Sequence, residues 1–419
     1  MTEIKLLPEA DYAAFVDILG KAYPDMEINN LEAYERRLNR IKVMQEEDPI
    51  GTIYGAYRDG VLVGGMDCLG FDMTWYRTQV KTGGVGMVAV DLLHKKEKVA
   101  RDMIRFFLDQ AVAQGMPLTA LYPFRPDFYR KMGFGWGPKM RQYRFKPSAL
   151  PRGKGKDRLR YLTTEDAAGV AACYDTYRVQ THGMMTRLTG WTEGLFNLKV
   201  SAIGYEDASG TLRGYLTHTF KNAGRTGGNF LKNDLTIHDW IALDREAQQA
   251  FYAYLHTQAD QVDRMVYTTH DDSFQHVLYD PRSDADNMIP SVYHQSDIAG
   301  VGLMYRVVDV PGMFRALEDH DFGGQTVRLR LDVRDSFMPA NAGPTIVHVA
   351  NGQARVVEDG EADVTLSLDV SDLSSLVMGV VPLRTLYHYG MADLSNVAYL
   401  PVLDALFHAD AGPVCMTHF

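Results

Sequence analysis

The spacing of hydrophobic and polar positions over the first 150 residues predicts short strands that alternate with amphipathic helices. Apolar residues that recur every three or four positions predict helices at 10–22, 30–45 and 99–114. Short apolar runs predict strands at 4–7, 53–57, 61–66, 85–90 and 118–122. Asp59-Gly60 separates two of these runs and predicts a tight hairpin turn.

The stretch from Gly86 to Phe134 organises this region. A buried strand is followed by the basic turn Lys95-Lys96-Glu97-Lys98, an amphipathic helix, a second strand and a short helix at 127–134 that Gly133 ends. A helix that begins directly after a turn presents free backbone N–H groups. This layout therefore predicts a site for a phosphate-bearing ligand at the start of the longer helix.

The same order of elements returns after a Gly/Pro-rich segment at 147–157, which we interpret as a domain linker. Strands are predicted at 158–162, 214–220, 235–242 and 264–268, and helices at 164–178 and 245–260. The junction at 242–247 between strand and helix has neither a glycine nor a basic cluster. We therefore expect a duplicated fold without the phosphate site.

The pattern changes after residue 300 to a mixture of strands and helices. Strands are predicted at 304–310, 326–333 and 364–370, a hairpin at 346–357 that turns at Asn351-Gly352, and helices at 311–317, 373–378, 382–389 and 402–407. The segment 413–419 is unusually apolar for a chain end, so we expect it to be held against the protein. The whole chain is predicted to be α+β in three domains, with a mixed sheet in each of the first two.

Composition narrows the class of protein. A chain of 419 residues exceeds one ordinary core, and its net charge of −10 argues against a nucleic-acid binder. The three cysteines, Cys68, Cys173 and Cys415, are far apart and suggest neither a disulfide framework nor a zinc site. Because no signal peptide or membrane-spanning run is evident, we expect a soluble, cytoplasmic protein. We expect no metal, because His238-Asp239 and His270-Asp271-Asp272 lack a third ligand at metal spacing.

The order of elements around the basic turn, with Val88-Ala89-Val90 before it and a tyrosine after it, resembles the GNAT N-acetyltransferases. The whole chain resembles the Eis (enhanced intracellular survival) family, most specifically in the segment 120–134 and the apolar C-terminus. The resemblance implies an active GNAT domain at 1–150, a degenerate GNAT-like domain at 151–297 and a sterol-carrier-protein-like domain at 298–419. It also implies a homohexamer.

The resemblance further implies which residues carry the reaction. Acetyl-CoA, the co-substrate, would pair its pantetheine arm with the backbone of Val88, Ala89 and Val90. Its pyrophosphate would be wrapped by the turn and the helix start, namely Lys96, Glu97, Lys98, Val99, Ala100 and Arg101. Phe124 and Arg125 would lie near the thioester. Tyr129 matches the general acid, and the terminal carboxylate of Phe419, carried by the third domain, matches the general base.

The basic turn departs from the family pattern, because Lys98 stands where that pattern has glycine and Glu97 adds a negative charge. Glycine lets the backbone approach a phosphate closely. We expect Lys98 to keep an ordinary helical φ and still present its N–H, so that CoA binding is retained. Weaker or altered CoA binding is the alternative.

The expected chemistry is direct transfer of the acetyl group, since no cysteine falls in the motif to carry it. A phenol with a pKa of about 10 stays protonated at neutral pH and can donate a proton. A carboxylate with a pKa of about 3.5 is a weak base unless burial raises that value or water relays the proton.

The acceptor is expected to be an amine of a cationic small molecule, aminoglycoside-like or polyamine-like, or a lysine side chain. Asp25 and Glu27 are candidates for lining a cation pocket, and a solvated loop is the equal alternative. A non-catalytic protein that binds lipid or acyl-CoA is the competing function.

Overall fold

The computed structural model describes residues 2–26, 28, 30–46, 50–188, 190–197, 199–222, 233–283 and 288–419. The chain forms two compact units. The first contains Met1–Gly137, Leu303–Gly412 and His418–Phe419, and the second contains Pro138–Gly302 and Pro413–Thr417. Among the described residues, no helix is both long enough and apolar enough to cross a membrane.

Strands and helices alternate along the described chain. The strands are β1 (Glu3–Leu6), β2 (Gly51–Arg58), β3 (Val61–Trp75), β4 (Thr78–Val90), β5 (Leu118–Leu121), β6 (Gly135–Trp136), β7 (Lys139–Phe145), β8 (Leu159–Tyr161), β9 (Ser201–Glu206), β10 (Leu212–Asn222), β11 (Asn233–Ala242), β12 (Val262–Thr269), β13 (Met288–Ile289), β14 (Tyr293–His294), β15 (Asp297–Val301), β16 (Met304–Val307), β17 (Val327–Arg334), β18 (Gly343–Ala350), β19 (Gln353–Val357), β20 (Val364–Asp369) and β21 (Ala392–Leu394). The helices are α1 (Tyr12–Ala22), α2 (Leu31–Glu46), α3 (Val99–Ala113), α4 (Pro126–Arg130), α5 (Ala167–Gln180), α6 (Trp191–Leu195), α7 (Arg245–His256), α8 (Val310–Ala316), α9 (Val370–Val377), α10 (Leu383–His388) and α11 (Leu400–Leu406).

The first unit contains a seven-stranded mixed sheet in the order β1-β2-β3-β4-β5-β16-β6. Its β4–β5 pair is parallel and the other neighbours are antiparallel. Asp59 and Gly60 both have positive φ, at 49° and 80°, which confirms the predicted hairpin turn. β3 and β4 are longer than predicted and form a second hairpin, whose tip is fixed where Trp75 Nε1 and Tyr76 Oη both donate to Val377 O.

The second unit contains a sheet of the same kind, in the order β15-β7-β12-β11-β10-β9-β8, with β11 parallel to β12. α7 follows β11, as α3 follows β4 in the first sheet. The Asp244 side chain caps α7 by accepting from Ala247 N at 2.9 Å, and it pairs with Arg213. A carboxylate already occupies this helix start, which makes it a poor place for a phosphate.

Two strands belong to a different sheet from the one that the expected domain limits imply. β7 pairs with β12 in the second sheet, and β16 pairs with β5 and β6 in the first. The chain therefore passes from the first unit to the second at Gly137/Pro138, 13 residues before the expected limit at 150, and returns at Gly302/Leu303, 5 residues after the expected limit at 297. The expected linker at 147–157 contributes Ala149 and Leu150 to the second core. The Gly/Pro-rich composition of this segment indicates only a local backbone preference. The sheet that a strand joins depends instead on residues far away in the sequence.

A five-stranded mixed sheet, β19-β18-β17-β20-β21, forms the third domain within the first unit. Its hairpin turns at Asn351 and Gly352, with φ of 48° and 81°, as the sequence predicts. Every residue of α9 is buried. Together with the two larger mixed sheets, this arrangement confirms the predicted α+β fold.

A buried ion pair joins two distant segments of the first unit. Arg306 on β16 donates through Nη2 to Asp335 Oδ2 at 2.7 Å, and neither side chain is exposed to solvent. The Asp335 carboxylate also accepts from the backbone of Phe337 and Met338. A Cβ on Gly133, three residues after the end of α4, would lie 1.4 Å from Arg306 Nη1, so this position has to be glycine.

We expect Asp335→Asn to lower the free energy of unfolding by about 3–5 kcal/mol, because it leaves the buried Arg306 charge without its counter-ion. Urea unfolding monitored by tryptophan fluorescence measures the change. The matched control is Glu32→Gln, which removes an exposed pair with Arg36 and should change stability by about 1 kcal/mol or less. Equal losses in both variants would contradict this role for the buried pair.

Candidate active site

The parallel pairing of β4 with β5 stops at Gly84 and Ala120, although β4 continues to Val90. On its other edge β4 stays paired with β3, apart from a bulge at which Met87 has a φ of 47°. The β5-facing edge of β4 beyond Gly84 thus has no strand partner among the described residues. An open strand edge can pair with an extended ligand such as a pantetheine arm. The predicted stretch Val88–Val90 lies on this edge.

The basic turn adopts glycine-like backbone conformations without glycine. Lys96 and Lys98 have φ of 67° and 69°, in the left-handed region. The expectation of an ordinary helical φ at Lys98 is therefore wrong, because the chain needs a left-handed residue directly before α3. This conformation costs a non-glycine residue about 1–2 kcal/mol. No described side chain caps α3, so the N–H groups of its first turn, from Val99 to Arg101, remain available to a phosphate.

Ion pairs offset the negative charge of Glu97. Arg58 donates through Nη1 to Glu97 Oε2 at 2.5 Å and through Nη2 to its backbone oxygen at 2.6 Å. His94 Nδ1 lies 3.1 Å from the same carboxylate oxygen. The Arg101 guanidinium lies over the Phe337 ring at 5.8 Å. Because Glu97 is paired, the exposed lysines give the turn a positive electrostatic potential, which favours an anionic ligand.

A cavity of about 140 Å³ lies beside the open edge of β4. Aromatic rings dominate its lining, and the residues come from four separate regions of the chain. The lining residues are Tyr23, Met26, Val85, Gly86, Met87, Val88, Tyr122, Phe124, Tyr129 and Phe419. The structure therefore brings both predicted catalytic residues, Tyr129 and Phe419, to one cavity.

Tyr129 lies on α4 and is 2% exposed. Its ring makes edge contacts with the rings of Phe124, Phe128 and Phe134. Burial, and to a smaller extent the nearby Tyr23, raises the pKa of Tyr129 above that of an ordinary phenol. Its hydroxyl therefore stays protonated at neutral pH, as a proton donor must.

Phe419 packs against glycine positions on β4. Its ring lies 4.9 Å from the Phe71 ring and 5.4 Å from the Tyr122 ring, measured between centroids. A Cβ on Gly84 would meet the Phe419 ring at 3.1 Å, and a Cβ on Gly86 would meet the terminal carboxyl carbon at the same distance. The terminal carboxylate thus rests directly on the backbone of β4.

The preceding tail residues are anchored within the second unit. Val414 N donates to His182 O at 2.8 Å, and Arg187 Nη1 donates to Met416 O at 2.5 Å. The Arg187 guanidinium also pairs with Asp239 at 2.6 Å and is largely buried. These bonds account for the apolar chain end that the sequence predicts to be held in place.

Tyr23 is a site residue that the sequence did not predict. Its hydroxyl donates to Val88 O at 2.8 Å and so fixes the bulged part of β4. Burial, followed by the nearby Asp67 charge, raises the pKa of Tyr23 to about 12. It follows α1 in a segment without a recognisable motif, so only its position in the fold identifies it. Tyr122 and Met87 also line the cavity, although the sequence assigned them no role within the stretch from Gly86 to Phe134.

Some predicted residues lie apart from the cavity. Arg125 is exposed and pairs with Asp127 at 2.6 Å, whereas its neighbour Phe124 lines the cavity. Asp25 is exposed in a single 3-10 turn. Glu27 lies outside the described residues. The cation pocket suggested for Asp25 and Glu27 stays a prediction.

Comparison with known families accounts for all three domains. The acetyltransferase (GNAT) domain matches at residues 3–137 and again, through a second family of that description, at 183–307. The sterol carrier protein domain matches at 313–416. An uncharacterized N-acetyltransferase of Streptomyces coelicolor is 25% identical over 353 residues, which cover 80% of each chain. These matches favour an enzyme over a non-catalytic lipid-binding or acyl-CoA-binding protein.

Solved structures share the fold over the full length. A GCN5-related N-acetyltransferase from Anabaena variabilis superposes with a TM-score of 0.82 at 20% identity, and Eis1 from Mycobacterium abscessus with 0.76 at 19%. Each comparison covers 100% of both chains. The sequence matches thus divide the chain into two GNAT domains and a sterol carrier protein domain. This division agrees with the three large sheets of the structure. The chain is an acetyltransferase with two GNAT domains and a sterol carrier protein domain.

Proposed function

We propose that this protein transfers the acetyl group of acetyl-CoA directly to an amine of a cationic small molecule, aminoglycoside-like or polyamine-like, or of a lysine side chain. Tyr129 is the general acid and the Phe419 carboxylate is the general base. GNAT acetyltransferases use acetyl-CoA as co-substrate, and the acceptor, the two roles and a hexameric assembly are our proposals. The first GNAT domain is active in this scheme, and the second is not.

One observation carries the proposal: Tyr129 and the chain-terminal Phe419 line the same cavity, beside the open edge of β4. An acetyl thioester whose pantetheine pairs with Val88–Val90 would enter from this edge. Its phosphates would then meet the first turn of α3 and the exposed lysines before it. The residues proposed to pair with pantetheine lie on β4 beside the cavity, and the basic turn follows them. This order supports a reaction centre at the cavity.

The lining also supports a cationic acceptor. Aromatic faces attract organic cations, and Tyr23, Tyr122 and Phe124 supply such faces around the cavity. The terminal carboxylate adds a negative charge next to Gly86. An ammonium group gains from both kinds of contact, whereas an anionic acceptor would be repelled by the carboxylate.

The proposed reaction is a single displacement. The amine nitrogen attacks the thioester carbonyl carbon, so that a C–N bond forms and the C–S bond breaks. Tyr129 gives its hydroxyl proton to the departing sulfur, and the Phe419 carboxylate takes a proton from the attacking nitrogen. Positioning both partners in one cavity converts a bimolecular encounter into a reaction within a complex.

Release of free CoA with a panel of polyamines, aminoglycosides and lysine peptides tests the function. We expect at least one acceptor to be acetylated, and Tyr129→Phe to lower kcat by about 10²–10⁴-fold because the proton donor is lost. The aromatic packing of residue 129 is preserved in this variant. The control is Tyr389→Phe, which alters an exposed tyrosine. Absence of turnover with the whole panel would refute the proposal.

We expect a Gly-Ser extension after Phe419 to reduce turnover at least as much as Tyr129→Phe, because the free carboxylate no longer rests at Gly86. The same Gly-Ser added before Met1 is the matched control and should leave the rate unchanged. Calorimetric titration with acetyl-CoA checks that the extended protein still binds its co-substrate. Full activity of the extended enzyme would exclude the terminal carboxylate as the base.

Lys98 allows a direct test of the turn geometry. We expect Lys98→Gly to retain most acetyl-CoA affinity, since glycine adopts the φ of 69° without strain. Lys98→Val removes the same charge but places a β-branched residue in that conformation, so it should bind acetyl-CoA much more weakly. The two dissociation constants are measured by calorimetry. Equal affinities would mean that the left-handed conformation at this position does not matter for binding.

A further inference from the structure

Asp67 faces the proposed reaction centre from the neighbouring strand. It lies on β3 directly opposite Gly86 of β4, the residue on which the Phe419 carboxylate rests. The Cβ atoms of directly opposed residues in antiparallel strands lie about 4.5–5.5 Å apart and point to the same face. The side chain of Asp67 thus lies on the face of the sheet against which the Phe419 carboxyl group rests.

Alternation along β3 supports this orientation independently. Asp67, Leu69 and Phe71 occupy successive positions on one face of the strand, and Phe71 packs against the Phe419 ring. Asp72 occupies the opposite face and pairs with Lys81 at 2.8 Å. A second carboxyl group therefore shares the face on which the chain terminus lies.

The other ionisable groups near Asp67 come from α1, α2 and β3. Tyr23 follows α1, Arg37 and Arg40 belong to α2, and Cys68 is the next residue on β3. Burial raises the pKa of Asp67 to about 7, and the two arginines only partly oppose this shift. Its carboxylate can therefore accept a proton near neutral pH, which an ordinary aspartate does poorly.

Acetylation of an ammonium ion requires two proton acceptors. The acceptor nitrogen loses one proton before it can attack and a second one after the C–N bond has formed. The sulfur takes one proton from Tyr129, so the reaction releases one proton in total when Tyr129 is reprotonated. A single terminal carboxylate would have to serve both steps, whereas two carboxyl groups divide them.

We propose that Asp67 is a second catalytic base, which removes the first proton from the ammonium form of the acceptor while the Phe419 carboxylate removes the second. This assignment rests on the proposed function and adds a recognition element to it. The acceptor is bound as its ammonium ion between two carboxyl groups, so the preferred substrates are primary amines that are protonated at neutral pH.

The test compares two acceptors on one enzyme. The probes are a primary alkylamine, which is an ammonium ion at pH 7, and a hydrazide of the same length, which is neutral. We expect Asp67→Asn to lower kcat/KM for the alkylamine by about 100-fold. The loss with the hydrazide should be much smaller, because its nitrogen needs no prior deprotonation. The ratio of the two losses is independent of how much enzyme is correctly folded.

Two further variants control the comparison. Asp72→Asn changes the same residue type on the opposite face of β3 and should alter neither rate. Asp67→Glu keeps a carboxyl group and should restore part of the alkylamine activity. In the wild type, kcat/KM for the alkylamine should rise with pH through about 7, and Asp67→Asn should lack this limb.

Equal losses with both acceptors, or no loss with either, would overturn the assignment of Asp67. If the wild-type enzyme acetylates neither probe nor any amine of the panel, the proposed function itself fails. The two failures are therefore distinguishable, because the first requires an active wild-type enzyme.

Stability supplies a readout that does not depend on turnover. The pKa of Asp67 is higher in the folded state than in the unfolded state. Its favourable contribution to the free energy of unfolding is therefore complete below about pH 4 and is lost as pH rises through about 7. Asp67→Asn, which stays neutral, should therefore raise the urea midpoint relative to the wild type at pH 8 and change it much less at pH 4. An identical difference at both pH values would contradict a raised pKa.

Discussion

The contact between Phe419 and the glycine stretch of β4 is the constraint on which the site depends. Any side chain at Gly84 would meet the Phe71 ring at 2.5 Å, and one at Gly86 would press on the terminal carboxyl group. The strand must therefore present bare backbone where the chain end lies. In return, the cavity acquires a carboxylate whose location does not rely on a flexible side chain.

The bulge in β4 and the basic turn after this strand contain left-handed residues that are not glycine, and neighbouring side chains stabilise both. Met87, Lys96 and Lys98 all adopt left-handed conformations, each at a free-energy cost. Tyr23 stabilises the bulge by donating to Val88 O, and Arg58 stabilises the turn by binding both the side chain and the backbone of Glu97. Strained residues persist where surrounding contacts fix them, and such places are often functional.

The first unit also depends on joining distant segments. β16 enters the first sheet between β5 and β6 and brings Arg306, whose counter-ion Asp335 follows β17. The guanidinium occupies the space that Gly133 leaves just after α4, the helix that carries Tyr129. The third domain is thus tied to the segment that follows α4 by a buried charge pair as well as by apolar packing.

The amino-acid sequence by itself determined most of the elements, both Asn/Asp-Gly hairpin turns and the repeated order of strands and helices. These features depend on local periodicity, turn chemistry or a short motif, which are readable along the chain. Only the tertiary structure decided the sheets to which β7 and β16 belong, the left-handed Lys98, the place of Tyr23 and the pairing of Asp67 with Gly86. Each of these depends on which residues meet across long sequence separations, and the free energy of such contacts leaves no local pattern in the sequence.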